Sequence, residues 1–359
     1  MEPADKIKRL VRPEIMALSS YHVPDPGNLI KLDAMENPWT WPESLRAEWC
    51  EALQSVSLNR YPDPGARELT ATMREAMDVP ETAAVILGNG SDELIQMIIQ
   101  TLAMPGRVVM APEPTFVMYR QLAQVAGLAF TGVPLRDDFS LDAAALREAI
   151  AQHQPAVIFL AYPNNPSGNL FDATVIRQIL QEAPGLVVVD EAYAPFTDAS
   201  FMPVLPEYDN LLVLRTVSKM GLAGLRLGLL AGAPAWLAQI EKTRLPYNLG
   251  SLNQATGRFA LQHKSVFDMQ AGLIRQDRAD LLAGLQALPQ LAVYPSEANF
   301  ILFRAPPGQA AAIHAGLLDA GVLIKILDGS APALADCLRV TVGTAEENSA
   351  FLHALSGLL

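Results

Sequence analysis

The stretch LVVVDEAY, Leu186 to Tyr193, decides the fold. Four apolar residues in a row, three of them valine, leave no polar face, so the run belongs to a strand buried on both sides, as in a parallel sheet covered by helices. It ends in Asp190 and Glu191. A carboxylate at the end of a buried strand costs free energy unless a cation or strong donor meets it. Taken alone, Asp190 reads equally as a helix cap, a salt-bridged aspartate or a ligand contact.

Similar runs recur on either side: AAVILG (83–88), RVVMA (107–111), AVIFLAY (156–162), LLVLRT (211–216) and LGLLAG (227–232). Between them, SDELIQMIIQTLA (91–103) and LDAAALREAIAQH (141–153) space their apolar residues for one helix face, with Ser91 and Asp142 at or near the helix starts. The centre of the chain is therefore α/β with a mainly parallel sheet. Beyond it come a long helical stretch from about 252 to 288, the strand candidates LAVYP and NFILFRA, a helix near 308–320, then GVLIKIL and LRVTVG. That order describes a smaller α+β domain. The expected division is a proline-rich arm over 1–35 packing on the small domain, a large α/β domain over 36–248 and the small domain over 249–359.

The chain has 359 residues, half of them hydrophobic, enough for a sizeable core, and no internal repeat. A formal charge of -12 argues against an extended nucleic-acid or membrane-surface footprint, though not against a local anion pocket. Cys50 and Cys337 form no CxxC pair, and the five histidines have no metal-ligand spacing, so neither a disulfide framework nor a metal is expected. The opening MEPADKIKRLVRPEIM lacks the apolar segment of a secretory signal, so a cytoplasmic protein is expected.

In an open α/β sheet, ligands sit beyond the carboxyl ends of the strands. After AAVILG comes Asn89-Gly90-Ser91-Asp92, where glycine permits close backbone approach and the next helix offers free N–H groups to a phosphate. A plain capped turn reads the same way. After AVIFLAY come Asn164 and Asn165 between Pro163 and Pro166, a rigid loop able to hold amide donors, or an ordinary turn. After LLVLRTVS comes Lys219. Burial and a neighbouring cation such as Arg226 lower a lysine's pKa and leave a nucleophilic amine, whereas a surface lysine would simply snorkel. Four strand ends thus supply, in order, a phosphate cradle, amide donors, a carboxylate and a lysine followed by arginine. Together they describe a site for pyridoxal 5'-phosphate: Lys219 for the aldehyde, Asp190 for the pyridinium nitrogen, and the helix N-terminus with Ser218 and Arg226 for the phosphate.

The motifs GNGSDE (88–93), APEPTFVMY (111–119), YPNNPSG (162–168), VVVDEAY (187–193) and TVSKMGLAGLRLG (216–228) resemble, in order, those of the fold-type I pyridoxal-phosphate aminotransferases. NRYPDPGARELT (59–70), SEANFILFR (296–304) and CLRVTVGTAEEN (337–348) extend the likeness to nearly the whole chain and are similar to the histidinol-phosphate aminotransferase branch. The resemblance implies a large, mainly parallel seven-stranded sheet domain with a smaller α+β domain. It also implies that Lys219 bonds to the cofactor aldehyde, Asp190 meets its ring nitrogen, Asn165 and Tyr193 hydrogen-bond its phenolic oxygen, and Phe116 lies against its ring. Gly90, Ser91, Asp92, Ser218 and Arg226 hold its phosphate, and Tyr61 reaches it from the second subunit of a homodimer. Arg339 grips the substrate's carboxylate or phosphate, while Tyr21, Asn37 and Lys325 line the substrate pocket with Asn165. Lys325 stands where the family leads one to expect arginine, and the loop from Lys219 to Arg226 is one residue shorter.

The reaction so implied is transfer of the amino group of histidinol phosphate to 2-oxoglutarate, giving imidazole-acetol phosphate and glutamate in histidine biosynthesis. An aromatic amino-acid aminotransferase and a threonine-phosphate decarboxylase are the rivals on the same fold. A non-catalytic binding protein on this fold would normally lose Lys219 or Asp190, and both are present.

Overall fold

The computed structural model describes residues 3–20 and 24–359. Its central feature is a seven-stranded sheet built from β2 (Ala84–Asn89), β3 (Val108–Glu113), β4 (Ala129–Pro134), β5 (Val157–Ala161), β6 (Leu186–Asp190), β7 (Leu211–Thr216) and β8 (Leu227–Gly232), in the order β2-β8-β7-β6-β5-β3-β4. Only β8 runs against its neighbours; the other pairings are parallel. Every residue of β5, β6 and β8 is buried. Alternation explains how one strand feeds two cores. Val187 and Val189 of β6 pack with Leu160, Val213 and Leu229 on one face, while Leu186 and Val188 pack with Phe159, Leu212 and Leu230 on the other. Each fully buried branched side chain contributes about 1.5–3 kcal/mol, so these three strands alone favour a sheet covered on both faces.

A second sheet has five strands: β1 (Ile30–Leu32), β9 (Ala292–Val293), β10 (Phe300–Arg304), β11 (Val322–Ile326) and β12 (Cys337–Thr341), ordered β1-β11-β12-β10-β9. Beneath it, Ile301, Phe303, Val340 and Leu338 pack with Ile274 and Leu281 of helix Lys264–Gln286, with Ile313 and Leu317 of helix Ala310–Asp319, and with Phe351 of helix Ala345–Ser356. The last helix opens on a capping box, in which Thr344 Oγ1 accepts from the Glu347 N–H and Glu347 Oε2 accepts from the Thr344 N–H.

Three differences from the sequence reading have physical causes. The long helical stretch is two helices, Ser251–Gln262 and Lys264–Gln286, broken at His263, whose backbone (φ -107°, ψ 30°) leaves the helical region. Strand β4 escapes notice because it lies at the sheet edge, where Val133 is its one buried residue. The arm is divided: Ile30–Leu32 joins the smaller sheet beside β11, whereas the Arg12 guanidinium donates to the Val125 carbonyl, at the end of helix Met118–Val125 beside the larger sheet.

Between the sheets runs an extended segment, residues 33–41. The Met35 N–H donates to Thr341 Oγ1, and Asn299 Nδ2 donates to the Met35 carbonyl, which ties the segment to the smaller sheet. Trp41 packs against Trp49, Phe259 and Phe267.

Candidate active site

A cavity of about 120 Å³ opens beyond the ends of β5, β6 and β7, lined among others by Asp92, Phe116, Asn165, Asp190, Tyr193, Lys219 and Arg226. A larger cavity of about 410 Å³ borders Met77, Glu191, Arg215 and Phe267. The buried charges there are already paired, Arg215 Nη2 lying 2.8 Å from Glu191 Oε2, so the reactive groups belong to the smaller one.

At one end of that cavity, β2 runs into helix Gly90–Leu102. Asn89, at the cap position, makes no side-chain hydrogen bond to the first turn, which leaves the N–H groups there free for an anion. Gly90 has φ +77°, and a Cβ on it would fall 2.8 Å from Arg226 Nη2. Only glycine lets the guanidinium close over the turn. Arg226 Nη2 lies 3.3 Å from Asp92 Oδ2 and Nη1 lies 3.5 Å from Ser218 Oγ. The Asp92 carboxylate therefore accepts from arginine, and only its backbone N–H can serve as a donor. Despite the short loop, Arg226 reaches the helix N-terminus: Ser218–Leu222 forms a widened π-type turn, Ala223–Leu225 a 3₁₀ turn, and Arg226 itself is left-handed (φ 49°).

Asp190 ends β6 with its side chain buried, Oδ2 accepting from the Tyr119 hydroxyl at 2.7 Å and Oδ1 from the Ala192 N–H at 3.1 Å. Burial raises its pKa from 3.8 to about 6, against the pull of these donors, and the nearby charges of Asp92 and Glu191 push the same way as burial. Lys219, on the turn after β7, donates from Nζ to the Ala34 carbonyl at 3.3 Å. Burial, followed by the charge of Arg339 and then that of Arg226, lowers its pKa from 10.5 to about 8. Arg339 is thus the stronger of the two cations acting on this amine.

Asn165 joins two groups, its Nδ2 donating to the Tyr193 hydroxyl at 3.1 Å and its Oδ1 accepting from Arg339 Nη1 at 2.5 Å. Burial pushes the Tyr193 phenol well above the usual tyrosine range, so it remains a neutral donor. Arg339, buried on β12, also donates to the Asp33 carbonyl at 3.1 Å, and its guanidinium lies 5.1 Å from the Phe300 ring centre. Lys325 stands directly across from it in the β11–β12 register. Phe116 meets Tyr119 edge to face at 5.5 Å.

Asn37, read as lining the substrate pocket, and Tyr61, read as reaching the phosphate site of a second subunit, do not line this cavity. Asn37 donates from Nδ2 to the Met220 carbonyl at 3.1 Å and to Gln270 Oε1 at 3.0 Å, while its Oδ1 accepts from the Trp39 N–H. Its amide is spent on holding the turn that bears Lys219, and no donor remains for a substrate. Tyr61 is 80% exposed on the surface, stacked on Tyr247 at 4.4 Å. Tyr21 lies outside the described residues. Tyr119 and Gln270 escape a sequence reading altogether. A tyrosine hydroxyl at 0% exposure needs a partner, but sequence cannot say which.

A model of the family "Aminotransferase class I and II" matches residues 27–355. The chain belongs to this family. Among curated aminotransferases, it is 57% identical to histidinol-phosphate aminotransferase 2 of Nitrosococcus oceani, over 98% of each chain, and 52% identical to histidinol-phosphate aminotransferase of Chromobacterium violaceum, over 97% of this chain and 98% of that one. The fold of this aminotransferase is that of the solved histidinol-phosphate aminotransferase from Sinorhizobium meliloti in complex with pyridoxal-5'-phosphate, with a TM-score of 0.86, 23% identity and coverage of 97% of both chains.

Proposed function

We propose that this chain is a pyridoxal-phosphate-dependent histidinol-phosphate aminotransferase, moving the amino group of histidinol phosphate to 2-oxoglutarate. The observation that carries the cofactor reading is the meeting, in one cavity, of a near-neutral lysine and a buried carboxylate whose charged neighbours Asp92 and Glu191 are also acidic. That carboxylate calls for a cation, and the uncapped helix end beside Arg226 calls for an anion. One molecule with a protonated ring nitrogen and a phosphate meets both demands. The substrate reading is supported by the relatives at 57% and 52% identity.

When bound, pyridoxal phosphate supplies an electrophilic carbon for amine exchange and an electron-poor ring that spreads the charge left on the substrate's α-carbon. Lys219 would bond its aldehyde, Asp190 its ring nitrogen, and Asn165 with Tyr193 its phenolic oxygen, with Phe116 against the ring. The N–H groups of Gly90, Ser91 and Asp92, together with Ser218 and Arg226, would hold the phosphate. Lys219 Nζ would be the base that takes the proton from the substrate's α-carbon, holds it as an ammonium and returns it on the cofactor side; with a pKa near 8 it is neutral in a useful fraction of molecules at neutral pH. Asp190 stays ionised to hold the ring proton. Arg339 receives the substrate's anionic group as a planar fork, already oriented by Asn165, and Lys325 adds a point charge beside it.

The active unit in this reading is a homodimer. Support comes from Tyr61, Leu58 and Leu245, which are large apolar side chains left 80%, 71% and 72% exposed in the single chain. A second copy covering them would bring Tyr61 to its neighbour's phosphate site, and sedimentation at micromolar concentration should give twice the chain mass. A cytoplasmic location is part of this proposal, supported by the biosynthetic enzymes the chain resembles. Separately, among the described residues no helix is long and apolar enough to cross a membrane.

The deciding experiment mixes cofactor-loaded protein rapidly with histidinol phosphate, phenylalanine or threonine phosphate, without keto acid, and follows the cofactor's absorption. Fast conversion by histidinol phosphate alone supports the reading. Equal or faster conversion by phenylalanine would move the enzyme to the aromatic class, and carbon dioxide release from threonine phosphate would make it a decarboxylase.

A further inference from the structure

Asp190 has one carboxylate to spend on a bound ring nitrogen, and its environment works against keeping that carboxylate charged. It is buried, and two acidic neighbours, Asp92 and Glu191, raise its affinity for a proton. Its two protein donors are the Ala192 N–H, which is part of its own loop, and the Tyr119 hydroxyl, which comes from helix Met118–Val125 across the sheet. Tyr119 is fixed in place. It is 0% exposed, stacks on Phe159 at 4.7 Å with the planes 10° apart, and is braced edge-on by Phe116. Burial and the Asp190 charge keep its phenol protonated, so at any working pH the hydroxyl is a donor toward Oδ2.

We propose that Tyr119 is a positioning residue for the cofactor: by donating to Asp190 Oδ2 it keeps the carboxylate ionised and turned so that its remaining lone pairs face the ring nitrogen. The inference rests on the cofactor reading above. The other ionisable groups around this carboxylate are Asp92 on helix Gly90–Leu102, Glu191 and Tyr193 on its own loop, and Lys219 and Arg226 on the turn after β7. None of them appears among its hydrogen-bond donors, so the hydroxyl is the only side chain holding it in the ligand-free site among the described residues.

The test separates a role at the ring nitrogen from a role in packing. Cofactor-free wild type, Tyr119→Phe and Asp190→Asn are titrated with pyridoxal phosphate and with its 1-deaza analogue, which has carbon in place of the ring nitrogen, and binding is read from tryptophan fluorescence. Tyr119→Phe keeps the stacked ring. A hydrogen bond to a charged group corresponds to about 10–100-fold in an equilibrium constant, and the wild-type preference for pyridoxal phosphate over the analogue should fall by that factor. Binding of the analogue itself should stay within about threefold. Replacing Tyr119 with 4-aminophenylalanine, which returns an N–H donor to the same place, should restore the preference and serves as the second variant should Tyr119→Phe not fold. An unchanged preference in Tyr119→Phe, or equal weakening of both molecules, overturns the proposal. If Asp190→Asn leaves the preference intact, the contact between Asp190 and the ring nitrogen fails instead, and with it the reading on which this rests.

Discussion

Replacing Asp190 by asparagine should stabilise the cofactor-free protein. The carboxyl's pKa rises from 3.8 to about 6 on burial, so keeping it ionised in the folded state costs about 3 kcal/mol at pH 8. For an acid with a raised folded pKa, the folded state binds the proton more tightly. The cost is therefore fully present above pH 6, shrinks as pH falls below 6 and disappears below 3.8. Asparagine removes that cost and can still accept from the Tyr119 hydroxyl, but its amide group would face the Ala192 N–H, a loss of about 1 kcal/mol. The net gain is about 2 kcal/mol at pH 8, falling to about 0.5 kcal/mol at pH 5, where roughly half of the ionisation cost remains. Urea unfolding of both cofactor-free proteins at the two pH values, followed by tryptophan fluorescence and compared at equal m-value, measures it. A variant less stable than wild type at pH 8, or a difference that does not depend on pH, would refute the picture of a carboxylate held charged at the expense of the fold.

Four further outcomes follow from the same geometry. In cofactor-free protein, competitive acylation of Lys219 should titrate near pH 8, below the ordinary lysine value of 10.5, with Arg339→Gln moving the midpoint upward; an ordinary lysine midpoint would contradict its burial. Lys219→Ala should abolish transamination with the fold intact, and normal steady-state turnover would sink the mechanism. Glu191→Gln leaves the Arg215 guanidinium without its charged partner and should cost about 3–5 kcal/mol in urea unfolding, a loss below 1 kcal/mol counting against a paired buried charge. Gly221→Ala should destabilise the protein by about 1–3 kcal/mol and slow cofactor uptake, because Gly221 has φ +115° and a Cβ there would meet Asn37 Nδ2 at 2.9 Å; wild-type stability and uptake would argue that the turn is not held this way.

The sequence by itself determined the sheet and the identity of the reactive groups. Runs such as Val157–Ala161 and Leu186–Asp190 are apolar at every position up to their last residue, a pattern that only a strand covered on both faces satisfies, and the polar residue following each run marks the ligand end. Lys219, Asp190 and Asn165 were legible because each closes or follows such a run. Tertiary structure alone decided which group meets which. Tyr119 and Asp190 lie 71 positions apart, Asn37 and Gln270 lie 233 apart, and no periodicity records such a pairing. The family resemblance puts Asn37 in the substrate pocket, and only the structure shows its amide donating to the Met220 carbonyl and Gln270. The physical reason is general to the site. Hydrophobic patterning reports how deeply each element is buried, whereas the protonation of Asp190 and Lys219 depends on the distances between elements, and these exist only once the two sheets have packed around the segment between them.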